Sequence, residues 1–275
     1  MSSGPSRLSL NTPLDLTNGI DLRPRFRGYQ VNLADGRIRV RTMIPNFNSA
    51  HNTYPLLVWF HATSGGTTAT AGPAEQMAAL CVEMNVVVVC VEYRLAHEHG
   101  APLDDCYTAL KWAAESPTHL SADLSKGFIV GGMSSGGHFT AVLVHQARDD
   151  AFFRDHPGRR ITGHILRVPV SVQQASVSAD DVSWYHTQLP SSSSQWPSHA
   201  HLPPTFIQVC GLDPAKDEGF LYEQLLRRDG VRTKIIAYPG LPHAFRYGFP
   251  QLASNSSWED DLRLGLSWIL DGGGS

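Results

Sequence analysis

The sequence predicts an α/β fold in which helices cover both faces of a mostly parallel central sheet. From residue 55 onward, short apolar segments of strand length alternate with longer segments of helical periodicity. Two of the apolar segments, PLLVWFH (55–61) and NVVVVCVEY (85–93), are continuous, which is typical of strands that are covered on both faces. The chain has 275 residues and 42% hydrophobic content, enough for one large core, so we expect a single domain over residues 1–275.

The first part of the chain predicts a surface segment, a hairpin and the first strand–helix units. Residues 1–28 are rich in proline, serine and arginine, and we expect them to wrap the surface. The next segment alternates at period two around Asp35-Gly36, a pair typical of hairpin turns. After the strand at 55–61 comes a loop that contains several glycines. Beyond this loop we expect helices at about 73–84 and 102–116, on either side of strand 85–93.

The second half of the chain continues the alternation, with one interruption. Apolar runs predict strands at 161–172, 205–213 and 233–240, and periodic segments predict helices at 215–230 and 257–270. Between residues 173 and 204 the periodicity disappears, and serine, proline, histidine and tryptophan dominate. An aperiodic segment of this length inside a compact domain usually forms a lid or a binding insertion.

Composition and charge exclude several classes of partner. A formal net charge of −3 and a pI near 6.5 favour neither nucleic acid nor an anionic membrane. No apolar stretch approaches the roughly 18 residues of a membrane-spanning helix, and the first residues lack the apolar segment of a secretory signal. The four cysteines lack metal-type spacing, and Cys90 and Cys210 lie in strand-like runs, so we expect buried thiols. These features predict a cytoplasmic protein that needs no metal.

The segment GFIVGGMSSGGHFTAVLVH (127–145) joins a predicted strand to a predicted helix. Its centre, Gly132-Met133-Ser134-Ser135-Gly136, matches the G-x-S-x-G nucleophile elbow with Ser134 in the serine position. A strand that turns directly into a helix strains the serine backbone, and the residues two before and two after it must be small to avoid collision. The turn raises the hydroxyl above the sheet, while the helix N-terminus favours developing negative charge. The pattern is common by chance in chains rich in serine and glycine, and its strand–helix context is what favours Ser134 as a nucleophile.

A serine nucleophile needs a base, an acid that orients the base, and donors for the oxyanion. Asp213 ends the predicted strand 205–213, and His243 follows the predicted strand 233–240. Serine, acid and histidine therefore occur in the chain order that accompanies this kind of elbow. The alternatives are an Asp213 that only caps the following helix, and a His243 that is one of 13 histidines without a special role.

Five segments then carry a family resemblance: VWFHATSGG, VEYRLAHEHGAPLDDCYTAL, GGMSSGG, CGLDPAKDEGFLYEQLLRRDGV and YPGLPHAF. In this order they resemble the hormone-sensitive-lipase-like α/β-hydrolases, the "fold-3" carboxylesterases. The resemblance implies the α/β-hydrolase fold, with Ser134 as nucleophile, Asp213 as acid and His243 as base. It also implies a small cap built from residues 1–28 and 173–204, and hydrolysis of carboxylic esters with short to medium acyl groups.

The chain departs from that family's pattern in the oxyanion loop. The family's H-G-G-G is His61-Ala62-Thr63-Ser64 here. Carried over residue by residue, the N–H donors of the oxyanion hole become Thr63 and Ser64, together with Ser135 after the nucleophile. In addition, Met133 replaces the family's usual aspartate and His97 the proline of Y-R-L-A-P-E.

Aromatic residues near the predicted site are candidates for a substrate pocket. Trp184, Tyr185 and Trp196 lie in the aperiodic insertion, and their alternative role is packing of a lid on the sheet. Phe245, beside the predicted base, could serve in either way. We expect His61 to order the oxyanion loop, His138 to lie below the reacting face, and His199 and His201 to be solvated.

The sequence thus predicts a serine hydrolase that cleaves a carboxylic ester or lactone and needs no cofactor. One alternative is the same scaffold in acyl transfer, lactone closure or elimination on a secondary metabolite, which the unusual oxyanion loop motivates. Another is a non-catalytic receptor, as in the gibberellin receptors that resemble this family but lack the catalytic histidine; His243 argues against it. We expect a small-molecule ester or lactone as partner, with a homodimer as an open alternative. The pattern does not identify the substrate.

Overall fold

A computed structural model describes residues 23–46, 52–64, 67–68, 71–94, 102–169, 198–243, 245, 249–253 and 257–274. Within these residues the strands are β1 (Arg25–Leu33), β2 (Gly36–Ile44), β3 (Leu56–Phe60), β4 (Thr63–Ser64), β5 (Thr67–Thr68), β6 (Val87–Glu92), β7 (Phe128–Met133), β8 (Gly163–Arg167), β9 (Thr205–Cys210) and β10 (Thr233–Tyr238). One eight-stranded sheet has the order β1-β2-β6-β3-β7-β8-β9-β10, and β4 pairs with β5 separately.

The sheet is parallel from β6 to β10 and antiparallel at its N-terminal edge. β1 pairs with β2 and β2 with β6 in antiparallel fashion, whereas each pair of neighbours in the order β6-β3-β7-β8-β9-β10 is parallel. The hairpin predicted around Asp35-Gly36 is confirmed, since Leu33 pairs with Gly36 across the turn. Arg25–Gly28, the end of the N-terminal segment expected on the surface, belong to β1.

Helices cover both faces of this sheet. In the described part of the chain they are α1 (Ala71–Glu83), α2 (Pro102–Glu115), α3 (Pro117–Leu120), α4 (Ser135–Asp149), α5 (Ala151–Arg154), α6 (Lys216–Arg228), α7 (Pro250–Ala253) and α8 (Trp258–Leu270), with 3-10 turns at Leu124–Lys126 and Pro157–Arg159. Along β3, Leu56, Val58 and Phe60 pack in the core cluster that includes residues of α2, α4 and α6. Leu57 and Trp59 pack in the second cluster, with residues of α1 and α8. The continuous apolar run therefore reflects a strand with two buried faces.

Two predictions from composition can be compared with the structure. All four cysteines are free thiols; Cys210 is buried as expected, whereas Cys90 is half-buried. Burial raises the pKa of the Cys81 and Cys210 thiols to about 12, so both stay protonated at neutral pH. None of the helices in the described ranges is both long enough and apolar enough to cross a membrane.

The end of the 173–204 insertion is packed tightly against the domain. His199 is 1% exposed, and its Nδ1 lies 3.1 Å from Nε2 of His145 on α4. The His199 backbone N–H donates to Asp229 at 2.6 Å. The expectation that His199 is solvated is therefore wrong, because this imidazole fills a space between α4 and α6. His201 is exposed, as expected, while residues 173–197 lie outside the described residues.

Buried histidines predict a loss of stability in mild acid. Burial lowers the pKa of His138 to about 4, and the pKa of His145 and His164 to about 3. In the unfolded chain the same groups have a pKa near 6.5. Between these values the unfolded state binds more protons than the folded state, so the free energy of unfolding decreases as pH falls from about 6.5.

We expect His138→Gln to flatten this pH dependence. Removing one such histidine should reduce the loss of unfolding free energy between pH 7 and pH 5 by about 2 kcal/mol. Urea denaturation at the two pH values measures the difference, whatever the variant's absolute stability. His156→Gln at an exposed position is the control, and equal pH dependence in both variants would contradict the assignment.

Candidate active site

The predicted elbow is a strained turn between β7 and α4. Ser134 has φ 54° and ψ −120°, a backbone conformation that residues with a side chain rarely adopt. Its N–H donates to the Arg167 carbonyl of β8 at 2.9 Å, and its carbonyl accepts the His138 N–H at 3.0 Å. The turn is thus held on one side by the sheet and on the other by the first turn of α4.

Two glycines make this turn sterically feasible. A Cβ on Gly132 would lie 2.3 Å from the Gly136 carbonyl oxygen, and a Cβ on Gly136 would lie 2.1 Å from the Phe60 carbonyl oxygen. Both distances are far below van der Waals contact, and the opposing atoms are backbone, which cannot move aside cheaply. At Gly137 the nearest atom would be 3.3 Å away. The elbow pattern therefore needs glycine at 132 and 136 because backbone meets backbone there.

The structure brings Ser134, His243 and Asp213 into one chain of hydrogen bonds. Ser134 Oγ lies 2.9 Å from His243 Nε2, and His243 Nδ1 lies 2.6 Å from Asp213 Oδ2. With Nδ1–H donating to the carboxylate, Nε2 is left to accept the serine proton. Asp213 is 3% and Ser134 8% exposed, whereas the His243 side chain is 29% exposed. The site therefore opens to solvent on the imidazole side.

The alternative interpretation of Asp213 as the N-cap of α6 is wrong, because Ala215 occupies that position and no side chain of the described residues caps the helix. Asp213 lies in the turn just before the helix and helps to order it. Its Oδ1 accepts the Ala215 N–H at 2.9 Å, which orders the turn before α6. One carboxylate oxygen thus fixes the loop while the other faces His243. The fixed loop in turn fixes the direction of the histidine contact.

Parallel topology explains why residues so far apart in sequence meet. Ser134 follows β7, Asp213 follows β9 and His243 follows β10, and these strands are parallel neighbours in the order β7-β8-β9-β10. Their carboxyl ends therefore lie at one edge of the sheet, where ligands bind in open α/β folds.

The loop after β3 begins at the same edge. His61 is 6% exposed, its ring stacks on Tyr93 at 4.5 Å, and its carbonyl accepts the Tyr93 hydroxyl at 2.7 Å. Burial lowers the pKa of His61, so the imidazole is neutral. Both features agree with an ordering role. Thr63 and Ser64 follow as β4, paired with β5, and their predicted function as oxyanion donors, with Ser135, stays a prediction.

The predicted pocket residues divide into two groups. Trp184, Tyr185 and Trp196 lie outside the described residues. Phe245 is 1% exposed, and its ring makes an edge contact with Trp258 at 5.4 Å, which favours its packing alternative. His138 is buried in α4, as expected, and burial lowers its pKa to about 4. Among the described residues, no cluster of three or more histidine, cysteine, aspartate or glutamate side chains is suited to a metal ion.

Sequence reasoning did not identify a buried arginine beneath the elbow. Arg167 is fully buried, and its guanidinium donates to Gln208 at 2.8 Å and to Glu259 at 3.2 Å. It also lies 4.3 Å from the Trp258 ring, which contacts Phe245 in the histidine loop. The same residue accepts the Ser134 N–H through its carbonyl. Arg167 thus joins the serine side of the site to α8, and its sequence signal was a charge within the apolar strand HILRVPV.

The elbow glycines yield a test with an internal control. Gly136→Ala should lose activity and stability, because its Cβ would overlap the Phe60 carbonyl and displace α4 from β3. Gly137→Ala, one residue along the same helix, should retain most of the activity. Thermal unfolding and ester turnover of the two purified variants measure the effect. Equal behaviour would show that the close approach does not constrain the site.

Comparison with known proteins agrees with this architecture. A family model described as alpha/beta hydrolase fold matches residues 57–247. Carboxylesterase NlhH of Mycobacterium tuberculosis is 31% identical over 267 residues, covering 86% of this chain and 79% of the relative.

Solved structures are similar over nearly the whole chain. The structure of vibralactone cyclase superposes with a TM-score of 0.81 at 30% identity, covering 93% of this chain and 82% of that one. A hyperthermophilic esterase from the archaeon Pyrobaculum calidifontis gives a TM-score of 0.74 at 25% identity, covering 91% and 87%. The chain therefore belongs to the α/β-hydrolase fold family, in its hormone-sensitive-lipase-like branch of carboxylic ester hydrolases.

Proposed function

We propose that this protein hydrolyses carboxylic esters or lactones through a covalent acyl-enzyme on Ser134. The observation that carries the proposal is the hydrogen-bond chain of 2.9 Å from Ser134 to His243 and 2.6 Å from His243 to Asp213. Its order matches the needs of nucleophilic catalysis, a hydroxyl beside a base that a buried carboxylate orients. Similarity to a carboxylesterase supports the choice of ester as the substrate class.

In the first half of the reaction, Ser134 Oγ attacks the ester carbonyl carbon while His243 Nε2 takes the hydroxyl proton. The tetrahedral intermediate then collapses, the bond to the leaving alkoxide breaks, and His243 returns the proton to that oxygen. In the second half, water repeats the attack on the acyl-serine with His243 again as base, releasing the acid. Asp213 keeps Nδ1 protonated and stabilises the imidazolium that forms in each half.

Backbone N–H groups stabilise the oxyanion in this proposal. Ser135 is the first residue of α4, so its N–H belongs to the positive end of that helix. Thr63 and Ser64 follow β3, whose end lies against Gly136. In this proposal, donors from these two elements together hold the carbonyl oxygen of an ester bound at Ser134.

The same proposal includes the cap, the substrate pocket and the cellular location. We propose that the segments 1–28 and 173–204 supply the cap of a single domain, except for Arg25–Gly28, which belong to β1, and 198–204, which lie near the C-terminal end of α4. We further propose that Trp184, Tyr185 and Trp196 form an apolar wall for the acyl or alcohol group. Four free cysteines favour a reducing compartment, so we place the protein in the cytoplasm.

A second candidate function is lactone closure from the same acyl-enzyme. Two observations favour it: the 30% identity to vibralactone cyclase with a TM-score of 0.81, and the replacement of the family's H-G-G-G by His61-Ala62-Thr63-Ser64. In this reaction a hydroxyl of the substrate, in place of water, attacks the acyl-serine. The receptor alternative is disfavoured, because His243 is present and contacts Ser134.

Turnover of a methyl 5-hydroxyalkanoate in H₂¹⁸O separates the two candidates. Hydrolysis yields the hydroxy acid with one ¹⁸O in its carboxylate, whereas closure yields the lactone without label. Intact mass after treatment with a fluorophosphonate counts the reactive nucleophiles, and peptide mapping of the adduct locates the modified residue. A labelled acid with the probe on Ser134 supports hydrolysis, and unlabelled lactone as the main product would overturn it.

The hydrogen-bond chain predicts non-additive losses. Ser134→Ala should abolish turnover with unchanged thermal unfolding, because only the nucleophile is removed. Asp213→Asn and His243→Ala should each lower kcat by about 10³- to 10⁴-fold or more, since triad residues act as a unit. The double variant should be little worse than the poorer single variant. Full activity of Ser134→Ala, or additive losses in the double variant, would disprove a shared mechanism.

The oxyanion loop makes a separate prediction. If backbone amides are the donors, Thr63→Gly and Ser64→Gly should each change kcat by no more than about tenfold. A side-chain hydroxyl that donates to the oxyanion would instead cost about 10²- to 10³-fold in kcat with little change in KM. Thr68→Gly is the matched control, because Thr68 pairs with Thr63 and tests the hairpin alone. The larger loss at 63 or 64, but not at 68, would refute backbone-only donation.

A further inference from the structure

A second cleft lies at the other end of the elbow helix, away from Ser134. Its volume is about 650 Å³, within the range of small-molecule sites. Three elements surround it: the C-terminal turn of α4, the α5 region with the chain up to Ile161, and the segment that closes the insertion. The residues that line it include Val144, Arg148, Phe153, Arg160, Ile161 and Pro203.

The cleft is separate from the catalytic centre. Helix α4 runs for 15 residues from Ser135 to Asp149, and the cleft residues Arg148 and Asp149 are its last two. At a rise of 1.5 Å per residue, about 20 Å separate them from Ser134. A ligand in this cleft therefore cannot be the group that Ser134 attacks.

One part of the wall is apolar. Val144, Ala147 and Phe153 are buried residues of the main core, and Ile161 and Pro203 extend the same surface. Such a wall favours the hydrocarbon part of a ligand, since it removes apolar area from water.

The rest of the lining is cationic and only partly neutralised. Arg148 and Asp149 neutralise each other, with Nε and Nη2 at 2.7 and 2.8 Å from the carboxylate. Arg154 contacts Asp155 at 2.8 Å. The exposed Arg160 guanidinium is different: within the described part of the chain its hydrogen bond goes to the Arg154 carbonyl at 3.5 Å, and no carboxylate lies within ion-pair distance of it.

Arg148 also makes the cleft rigid on the insertion side. Its Nη1 donates to the carbonyls of Ser198 and Ala200 at 2.8 and 3.3 Å. Between them, His199 is held by Asp229 and His145. The wall formed by 198–203 is therefore fixed before any ligand arrives, which lowers the entropy cost of binding.

We propose that this cleft is a binding site for a small organic anion, a carboxylate attached to a hydrocarbon group. The carboxylate pairs with the Arg160 guanidinium, whose planar fork suits bidentate contact. The hydrocarbon lies on the wall formed by Val144, Phe153 and Ile161. The proposal does not depend on the reaction at Ser134.

Calorimetric titration with hexanoate tests the site on the full-length protein. We expect hexanoate to bind at one site per chain. Hexan-1-ol and hexylamine should bind at least about tenfold more weakly, because neither has a carboxylate that can form charged hydrogen bonds with Arg160. Arg160→Glu should weaken hexanoate binding by at least about tenfold and strengthen hexylamine binding. Because Arg160 is exposed, this variant should unfold at the parent temperature.

Arg159→Glu is the matched control, because it makes the same change in net charge on the adjacent residue. Arg159 stacks on Phe152 at 4.3 Å and does not line the cleft. It should bind hexanoate as the parent does. Equal weakening in both variants would show that hexanoate responds only to the overall charge of this surface. Unchanged binding in Arg160→Glu would show that hexanoate binds at another site. Either result, or no binding at millimolar hexanoate, would overturn the proposal.

Discussion

The site depends on one close approach, the N-terminal turn of α4 against the carboxyl end of β3. At Gly136 there is no room for a methyl group, since a Cβ would lie 2.1 Å from the Phe60 carbonyl oxygen. The same contact brings Ser134 and the start of the loop after β3, the proposed nucleophile and oxyanion loop, to one place. The strained backbone at Ser134 persists because the sheet and the helix hold it from both sides. Loss of the approach would therefore separate the two halves of the site at once.

Much of the fold was predictable because its information is local. Continuous apolar runs located β3 and β6 to within two residues, and proline and acidic residues marked the start of α2. The elbow was predictable for a similar reason, because the need for glycine on both sides of Ser134 appears in the sequence as a short pattern. These glycines avoid collision with backbone atoms a few residues away or on the neighbouring strand. Identification of Asp213 and His243 needed more information: the chain order of serine, acid and histidine, and the predicted ends of the strands that precede them.

What the sequence did not show depends on contacts between distant residues. His199 lies in an aperiodic segment and was expected in solvent, yet it is buried against His145, which lies 54 positions away. No periodicity can report such a contact. Arg167 was visible as a charge within an apolar strand, but its partners Gln208 and Glu259 lie in other elements of the sequence. Burying an unpaired cation costs free energy, so a charge in this strand indicated that Arg167 has partners but did not identify them.

The separation of Ser134, Asp213 and His243 along the chain has a consequence for refolding. Ser134 and His243 are 109 positions apart, and Asp213 and His243 are 30 apart. Contacts between distant residues form only after the loops between them have closed, which slows folding of parallel sheets. Helix content can return early from local interactions, whereas the serine–histidine contact needs β7, β8, β9 and β10 in register. Recovery of enzymatic activity in a refolding experiment would thus report completion of this half of the sheet, later than circular dichroism reports the helices.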